Sequence, residues 1–340
     1  MRGKTAGLAV LGAVVALVAL AAAGCGGDDG AGPLTVYSGR EEELVEPLFD
    51  RFTEQTGIEV EVRYGDSAEL AATINEEGGN SPADVFFAQD PGSLGAIDSQ
   101  LAMLPEEILD RVDPRYRDAD GRWVGTSGRS RVLVYNTDAV PTSDLPTSVF
   151  DLTDPTWQGR VGIAPTNASF QAFVTAMRLS AGDERTRQWL EDLQANDPKT
   201  YEKNTPIVEA VAAGEVDVGL VNHYYLYLVR EEQPDAAIAN HFFEAGDPGA
   251  LVSVAGAGVL ASSDQVDDAN AFAEFLLSDD AQRFYVEAAE EAEYPLVAGI
   301  DPVEGLPPLD ELVGPDVNLT SFGPELERTV ELLRETGYLT

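Results

Sequence analysis

The sequence predicts an α/β fold built as two lobes, and three observations carry that prediction. Short β-branched runs alternate with amphipathic helical segments along the whole chain, the grammar of parallel strands joined by crossover helices. The chain from about Pro33 onward is long enough for two lobes. Polar residues stand at four strand ends far apart in sequence: Ser38-Gly39, Gln89-Asp90, 167–169 and 222–225. Ligands in such sheets sit outside the carboxyl ends of strands. Four corners of this kind suit a cleft between lobes better than the crevice of a single sheet.

Taken in order, residues 1–25 lie outside the fold. Arg2 and Lys4 form a basic start, 8–23 is an unbroken Ala/Val/Leu/Gly stretch, and Ala-Ala-Ala-Gly precedes Cys25. This predicts an export signal with a lipobox-like end and acylation of Cys25, with Ala22 standing where many lipoboxes carry Leu. An uncleaved membrane anchor is the alternative, since the stretch approaches spanning length. The only cysteine of the chain lies at the cleavage position and a Gly/Asp tether follows over 26–33, which favours the lipoprotein.

A strand is predicted at 34–37. A helix over 41–56 follows, with Leu44, Val45, Leu48 and Phe52 at helical spacing, acidic residues in its first turn and Gly57 as its stop. Alternation of Ile58, Val60 and Val62 with charged residues predicts a half-buried strand. Ser67 is the expected cap of a helix over 68–77. A buried strand at 83–88 and a turn at Asp90-Pro91-Gly92 come next, then a strand at 132–135. Strand 160–164 leads through Pro165-Thr166-Asn167 into a helix ending near Leu179. Helices are predicted at 183–194 and 206–213, the second opened by Asn204-Thr205-Pro206. Strands at 216–221, 237–242 and 252–260, helices at 267–277 and 279–289, a Pro-rich tail from Asp301 and a last helix at 324–335 complete the chain.

Composition narrows the function. The formal charge is −39; without Arg2 and Lys4 there remain 19 basic against 60 acidic residues, or −41. Such acidity disfavours nucleic acid and anionic membrane surfaces as partners and attracts cations in general. Most of these carboxylates are expected to form a solvated surface. With its one cysteine spent at the N-terminus, the mature domain has neither disulfides nor thiolate metal sites. Two histidines, no thiol and no G-x-S-x-G elbow leave no nucleophile–base set to assemble, so no enzyme is expected.

The segment 216–230 carries the most chemistry. A β-branched run turns at Asn222 into an aromatic helical start holding the chain's single Tyr-Tyr dipeptide, Tyr224-Tyr225. Two phenol oxygens at a helix N-terminus sit where the dipole favours negative charge, and phenolates suit a hard cation such as Fe(III). The competing reading is that both rings pack into the core.

Seven segments in order resemble one known family: S-P-A-D-V-F-F-A-Q-D (81–90), T-S-G-R-S-R-V-L-V-Y-N (126–136), W-Q-G-R-V-G-I-A-P-T (157–166), Y-E-K-N (201–204), N-H-Y-Y (222–225), D-P-G-A-L-V (247–252) and A-E-Y-P-L (292–296). Over nearly the whole mature chain they resemble the periplasmic ferric-ion-binding proteins of bacterial ABC importers. The resemblance implies a type II periplasmic-binding-protein-like fold with its ligand cleft between the lobes. It implies Fe(III) as the cargo, held by Tyr224 and Tyr225, with a synergistic anion such as phosphate or carbonate. The anion falls to the corner Asn167, Ala168 and Ser169 and to Asn204 and Asn222.

The first lobe departs from the family pattern. Glu41 stands where a His is common, and Gln89 stands where the family has a glutamate, with Asp90 beside it. Glu41 is either a hard first-lobe donor or a solvated carboxylate in the first turn of its helix. Gln89 is a candidate ligand through its amide oxygen, and Asp90 a candidate on either the metal or the anion side. Arg40 and Arg129 are candidates to neutralise the anion, Arg129 equally an ion-pair partner near the lobe crossover. The expected lobes are 34–131 with 255–300 and 132–254 with 301–340. The whole then reads as a monomeric, lipid-anchored extracytoplasmic receptor that hands Fe(III) to a membrane permease. The alternative is the same fold binding a phosphonate, polyamine or thiamine-like solute.

Overall fold

The computed structural model describes residues 32–287 and 292–339. Cys25, the signal segment and most of the tether lie outside the described residues, as do the last two residues of the helix expected at 279–289. Among the described residues no helix is long and apolar enough to cross a membrane.

The first sheet is built from β1 (Leu34–Ser38), β2 (Val60–Tyr64) and β3 (Val85–Ala88), with β1 parallel to both neighbours. Helices α1 (Glu42–Thr56) and α2 (Ser67–Glu77) make the crossovers. Val45, Leu48, Phe49 and Phe52 form the buried stripe of α1, and Gly57, in the left-handed conformation at φ 78°, ends it as the sequence predicts. The cap of α2 is Asp66 rather than Ser67: its carboxylate accepts from the Ala68 and Glu69 amides. Ser67 turns inward instead, and its Oγ accepts from the Gln89 amide at 2.9 Å. The expected turn at Asp90 opens a short helix, α3 (Pro91–Ala96), with Asp90 as its cap. A further short helix, α4 (Glu106–Leu109), precedes the longest strand.

That strand, β4 (Trp123–Asn136), is buried along all 14 residues, far beyond the expected 132–135. Its Gly-Thr-Ser-Gly-Arg-Ser-Arg centre lacks both alternation and strand propensity, so nothing local announces it. Tertiary packing supplies the reason. Residues 123–130 pair with β9 (Val252–Val259), whose own Gly256 lies so close that a Cβ there would meet the Val124 carbonyl oxygen at 2.7 Å.

The second sheet comprises β5 (Val161–Ile163), β6 (Lys199–Thr200), β7 (Val218–Asn222) and β8 (Ile238–His241). Residues 131–136 of β4 join it through β7 and β8. One strand thus serves both sheets and changes partners between Ser130 and Arg131. Every pairing made by β4 and β9 is antiparallel, so the sheets are mixed rather than mostly parallel. Helices α5 (Ala168–Ala181), α6 (Asp183–Ala195), α7 (Asn204–Ala212) and α8 (Tyr225–Glu232) clothe this half. Helix α7 starts at Asn204 itself, with Lys203 at the cap position making no side-chain cap bond. Val132, Val134, Ile207, Val211, Val221 and Leu226 belong to its separate apolar cluster.

Helices α9 (Val266–Leu276) and α10 (Asp279–Glu287) return to the first half, where Phe272 packs against Phe49 and Phe52. Strand β10 (Tyr294–Pro295) adds to β4 beside Ser127 and Gly128. The final helix, α11 (Phe322–Glu335), packs on α3 and on α5. Its grip on α5 includes the Thr175–Thr329 hydroxyl pair at 2.7 Å and Arg178 Nη2 donating to Glu325 at 3.1 Å.

Candidate functional site

The corner after β7 places Tyr224 at the N-cap of α8 and Tyr225 in its first turn, both half-buried. Their rings lie 4.3 Å apart at 32°, so the two phenols project as a pair. Burial, reinforced by the adjoining Tyr225, pushes the Tyr224 phenol well above its ordinary value. Without a metal it is therefore a neutral hydroxyl.

Beside the phenols lies a cation that the sequence reading passed over. Arg131 is 2 % exposed. Its Nη1 donates to Ser169 Oγ at 3.2 Å and Asn222 Oδ1 at 3.4 Å, and its Nη2 to the Leu220 carbonyl at 2.7 Å. The guanidinium also lies 5.9 Å and 5.6 Å from the Phe170 and Phe173 ring centres. Among the described residues no carboxylate lies within ion-pairing distance of it, and its Nε has no hydrogen-bond partner. Burial pushes its pKa down to about 9, against the opposing pull of the Tyr225 and Tyr224 phenols.

The corner after β5 completes this half. Asn167 caps α5, its Oδ1 accepting from the Ser169 amide at 2.9 Å and from Ser169 Oγ at 2.6 Å. Asn204, 1 % exposed, donates Nδ2 to the same Asn167 oxygen at 3.2 Å and to Ser169 Oγ at 3.1 Å, and its own Oδ1 is left without a partner. Ala168 is exposed at the first turn of α5. Asn167, Ser169, Asn204, Asn222 and Arg131 thus form one hydrogen-bonded group at a helix N-terminus, next to the phenols. Amide donors and a fixed cation at such a place receive an oxyanion.

The first-lobe candidates are arranged differently. Gly39 lies where β1 ends, so near Ser67 that a Cβ would fall 1.9 Å from its Oγ; only glycine fits. The same Oγ holds the Gln89 amide, which binds the β1 and β3 corners into one unit. Glu41 is exposed at the cap position of α1, with no side-chain cap bond. For Gln89, the groups engaged are its main-chain amide and its carbonyl, which accepts from Arg129 Nη2. Both oxygens of Asp90 are occupied as the α3 cap, by the Ser93 amide and hydroxyl at 2.8 Å each. No hydrogen bond links Glu41, Gln89 or Asp90 to the phenol pair among the described residues, nor do three or more His, Asp or Glu side chains there form a metal cage.

Arg40 and Arg129 meet at a carboxylate the sequence reading did not single out. Glu293 lies 3.2 Å from Arg40 Nη1 and 3.6 Å from Arg129 Nε, all three side chains being buried. Burial alone would raise its pKa, but the two guanidiniums outweigh it and hold the carboxyl below its ordinary range. Arg129 is thus an ion-pair partner. His223 is wholly buried and saturated: Nδ1 accepts from the Ser130 amide at 3.1 Å and Nε2 donates to the Ala292 carbonyl at 2.8 Å. Burial lowers its pKa to about 4. It offers no lone pair to a ligand. The signals for these residues were present in the Arg-x-Arg alternation of 129–131 and in A-E-Y-P-L, but they gain meaning only when distant segments meet.

Two surface cavities, about 310 Å³ beside Ser148, Arg185 and Asp247 and about 230 Å³ beside Tyr116 and Pro315, lie apart from these residues.

Comparison with known proteins identifies the family. Residues 80–308 match the family described as bacterial extracellular solute-binding protein. The chain is 35 % identical to the Fe(3+)-binding periplasmic protein of Serratia marcescens, over 90 % of each chain. It is 35 % identical to the major ferric iron-binding protein of Neisseria meningitidis serogroup B, over 89 % of this chain and 92 % of that one. Iron-bound HitA from Pseudomonas aeruginosa superposes with a TM-score of 0.80 at 37 % identity, covering 90 % of this chain and 99 % of that structure. A Trichodesmium FutA structure in complex with iron and citrate has the same TM-score at 29 % identity, covering 90 % of this chain and all of the other. These neighbours share the two-lobed fold. With this likeness in place beside the phenol pair and its hydrogen-bonded corner, the chain belongs to the bacterial extracellular solute-binding proteins, among the relatives of the periplasmic ferric iron-binding proteins.

Proposed function

We propose that this protein is the extracytoplasmic solute-binding component of an ABC importer and that its cargo is Fe(III). The observation that carries the reading is the Tyr224-Tyr225 pair at a strand-to-helix corner, ring centres 4.3 Å apart, beside the buried Arg131. Paired phenolates are hard anionic donors matched to a hard trivalent cation. Relatives named for ferric binding support the same cargo. The organic- or oxyanion-solute alternative is not favoured, because the relatives are named for ferric iron and tandem phenols suit a hard cation.

A synergistic anion such as phosphate or carbonate fits the group made by Asn167, Ala168, Ser169, Asn204 and Asn222, with Arg131 as its fixed charge. On the first-lobe side, Glu41 and Gln89 are the proposed metal contacts, reaching the phenols when the lobes close. Asp90, the remaining first-lobe candidate, already has both oxygens engaged as the α3 cap. The lobes are proposed as 34–131 with 255–300 and 132–254 with 301–340; the change of partners along β4 supports the first crossover. Delivery runs to a membrane permease, from a monomer tethered through acylated Cys25. Cys25→Ser is expected to release the protein from the membrane fraction or leave it unprocessed, and normal anchoring of that variant would exclude the tether.

The decisive experiment is a titration of apo protein with ferric citrate, followed in the visible. Wild type is expected to develop a phenolate-to-iron charge-transfer band. Each Tyr→Phe change keeps the ring and loses the oxygen, so it should bleach part of the band and weaken binding by several kcal/mol, on the order of leaving a buried charge uncompensated. Full colour and unchanged affinity in the double variant would sink the ferric reading.

A further inference from the structure

Two consecutive residues reach both sides of this site. The Ala292 carbonyl accepts from His223 Nε2 at 2.8 Å, and His223 immediately precedes the phenol pair. Glu293 takes Arg40 on one carboxylate oxygen, at 3.2 Å, and Arg129 on the other, at 3.6 Å. Arg40 stands between the β1 corner and Glu41, and it also donates to Ser127 Oγ at 3.4 Å. Arg129 donates to the Gln89 carbonyl at the β3 corner. One carboxylate therefore joins the two first-lobe corners, and the preceding carbonyl joins them to the tyrosine corner. Tyr294 pairs with Gly128, next to the point where β4 passes from one sheet to the other, and its ring lies 4.8 Å from that of His223.

The form of the segment argues for positioning. Ala292 holds a left-handed φ of 41°, which a residue with a Cβ adopts only under constraint. Strain of this kind persists where surrounding contacts over-determine it. Among the described residues the buried cluster joins Glu293 to two guanidiniums, and replacing such an ion cluster by well-packed apolar side chains of similar volume is often neutral or stabilising. What such a cluster does provide is direction: Glu293 aims Arg40 through a hydrogen bond and holds Arg129 as an ion pair, while Arg129 Nη2 is aimed at the Gln89 carbonyl.

We propose that residues 292–293 are a strap that sets the register between the two halves of the binding site, with Glu293 as the positioning residue for the Arg40–Glu41 and Gln89 corners. The strap deepens the ferric reading above and rests on it for its consequence, which is retention of the metal. Glu293→Gln keeps the volume and removes the charge between the guanidiniums; Glu293→Asp keeps the charge and shortens the reach.

Two measurements on the full mature chain test the strap. In apo protein, hydrogen–deuterium exchange is expected to accelerate in Glu293→Gln at the amides of Gly39 and Gln89 and, together with them, at 223–225. Acceleration confined to 292–295 overturns the strap, and this readout needs no iron. In iron-loaded protein, both variants should keep the wild-type band position, because the phenols lie on the second half, yet release iron into excess EDTA about tenfold to a hundredfold faster, within the range for outer-shell partners of a metal site. A merely structural role lowers the melting temperature and leaves release from the folded, loaded protein at the wild-type rate; that result overturns the proposal. Where Glu293→Gln does not fold, Glu293→Asp decides by the same two readouts. Absence of a band in wild type itself would instead overturn the ferric reading, leaving the exchange experiment to judge the strap.

Discussion

His223 and Tyr224 are adjacent, yet burial drives their protons in ways that matter at different pH. The imidazole, lowered to about 4 by burial, is neutral in the folded protein, whereas an unfolded histidine titrates near its ordinary 6.5. Between these values the unfolded chain binds the extra proton, so this contribution to stability is complete above about pH 6.5 and is lost as pH falls toward 4. The size is on the order of 2 kcal/mol by pH 5. Chemical denaturation of wild type and His223→Gln at pH 7 and pH 5 is expected to show the smaller pH-dependent loss in the variant. Equal losses would place the acid sensitivity elsewhere. In its proposed role as a ferric ligand, Tyr224 acts on binding instead: its raised pKa means that a proton must leave when the phenol takes a metal, so ferric affinity is expected to fall as pH falls.

At the scale of elements, the proposed anion group depends on where α5 begins. Asn167 fixes that start through the Ser169 amide and simultaneously orients Asn204 on α7. Asn167→Ala removes the cap, a loss of about 1 kcal/mol. It also takes away one of the two acceptors of a buried Asn204 amide, which adds to the penalty. A fall in the midpoint of urea unfolding without a change in slope checks the first effect. A weaker dependence of ferric loading on added phosphate checks the second, and unchanged phosphate dependence would remove Asn167 from the anion site. The helices on the first side are set by comparable local devices, Asp66 on α2 and Asp90 on α3. There the caps engage the carboxylates, and both Asp90 oxygens are taken up by Ser93.

Over the whole molecule, the formal charge of −39 is the leading fact. Self-repulsion among so many carboxylates opposes compaction, and salt screens it over a Debye length of about 10 Å at 0.1 M. The melting temperature of the apo protein is therefore expected to rise between low and moderate sodium chloride. A fall or no change would mean that ion pairs such as Arg178 with Asp183 and Glu325 outweigh the repulsion. Helix α11 supplies Glu325 to that cluster and packs on helices that begin at candidate-site corners of both halves, α3 after Gln89-Asp90 and α5 after Asn167.

The sequence by itself determined the alternation of strands and helices, the Gly57 stop, the polar strand ends and the tandem tyrosines, because each is a local pattern of propensity, periodicity or residue chemistry. It also placed Asn167, Ser169, Asn204 and Asn222 at corners that turn out to share hydrogen bonds. Only the tertiary structure decided that Gly125 to Arg131 is strand, since Gly, Ser and Thr become a buried ladder only when β9 supplies the partner. Only it decided that, among the described residues, Arg131 has no carboxylate within ion-pairing distance while Arg40 and Arg129 share Glu293. A charge in sequence carries its sign but not its neighbours, and Glu293 meets Arg40 across a separation of 253 residues.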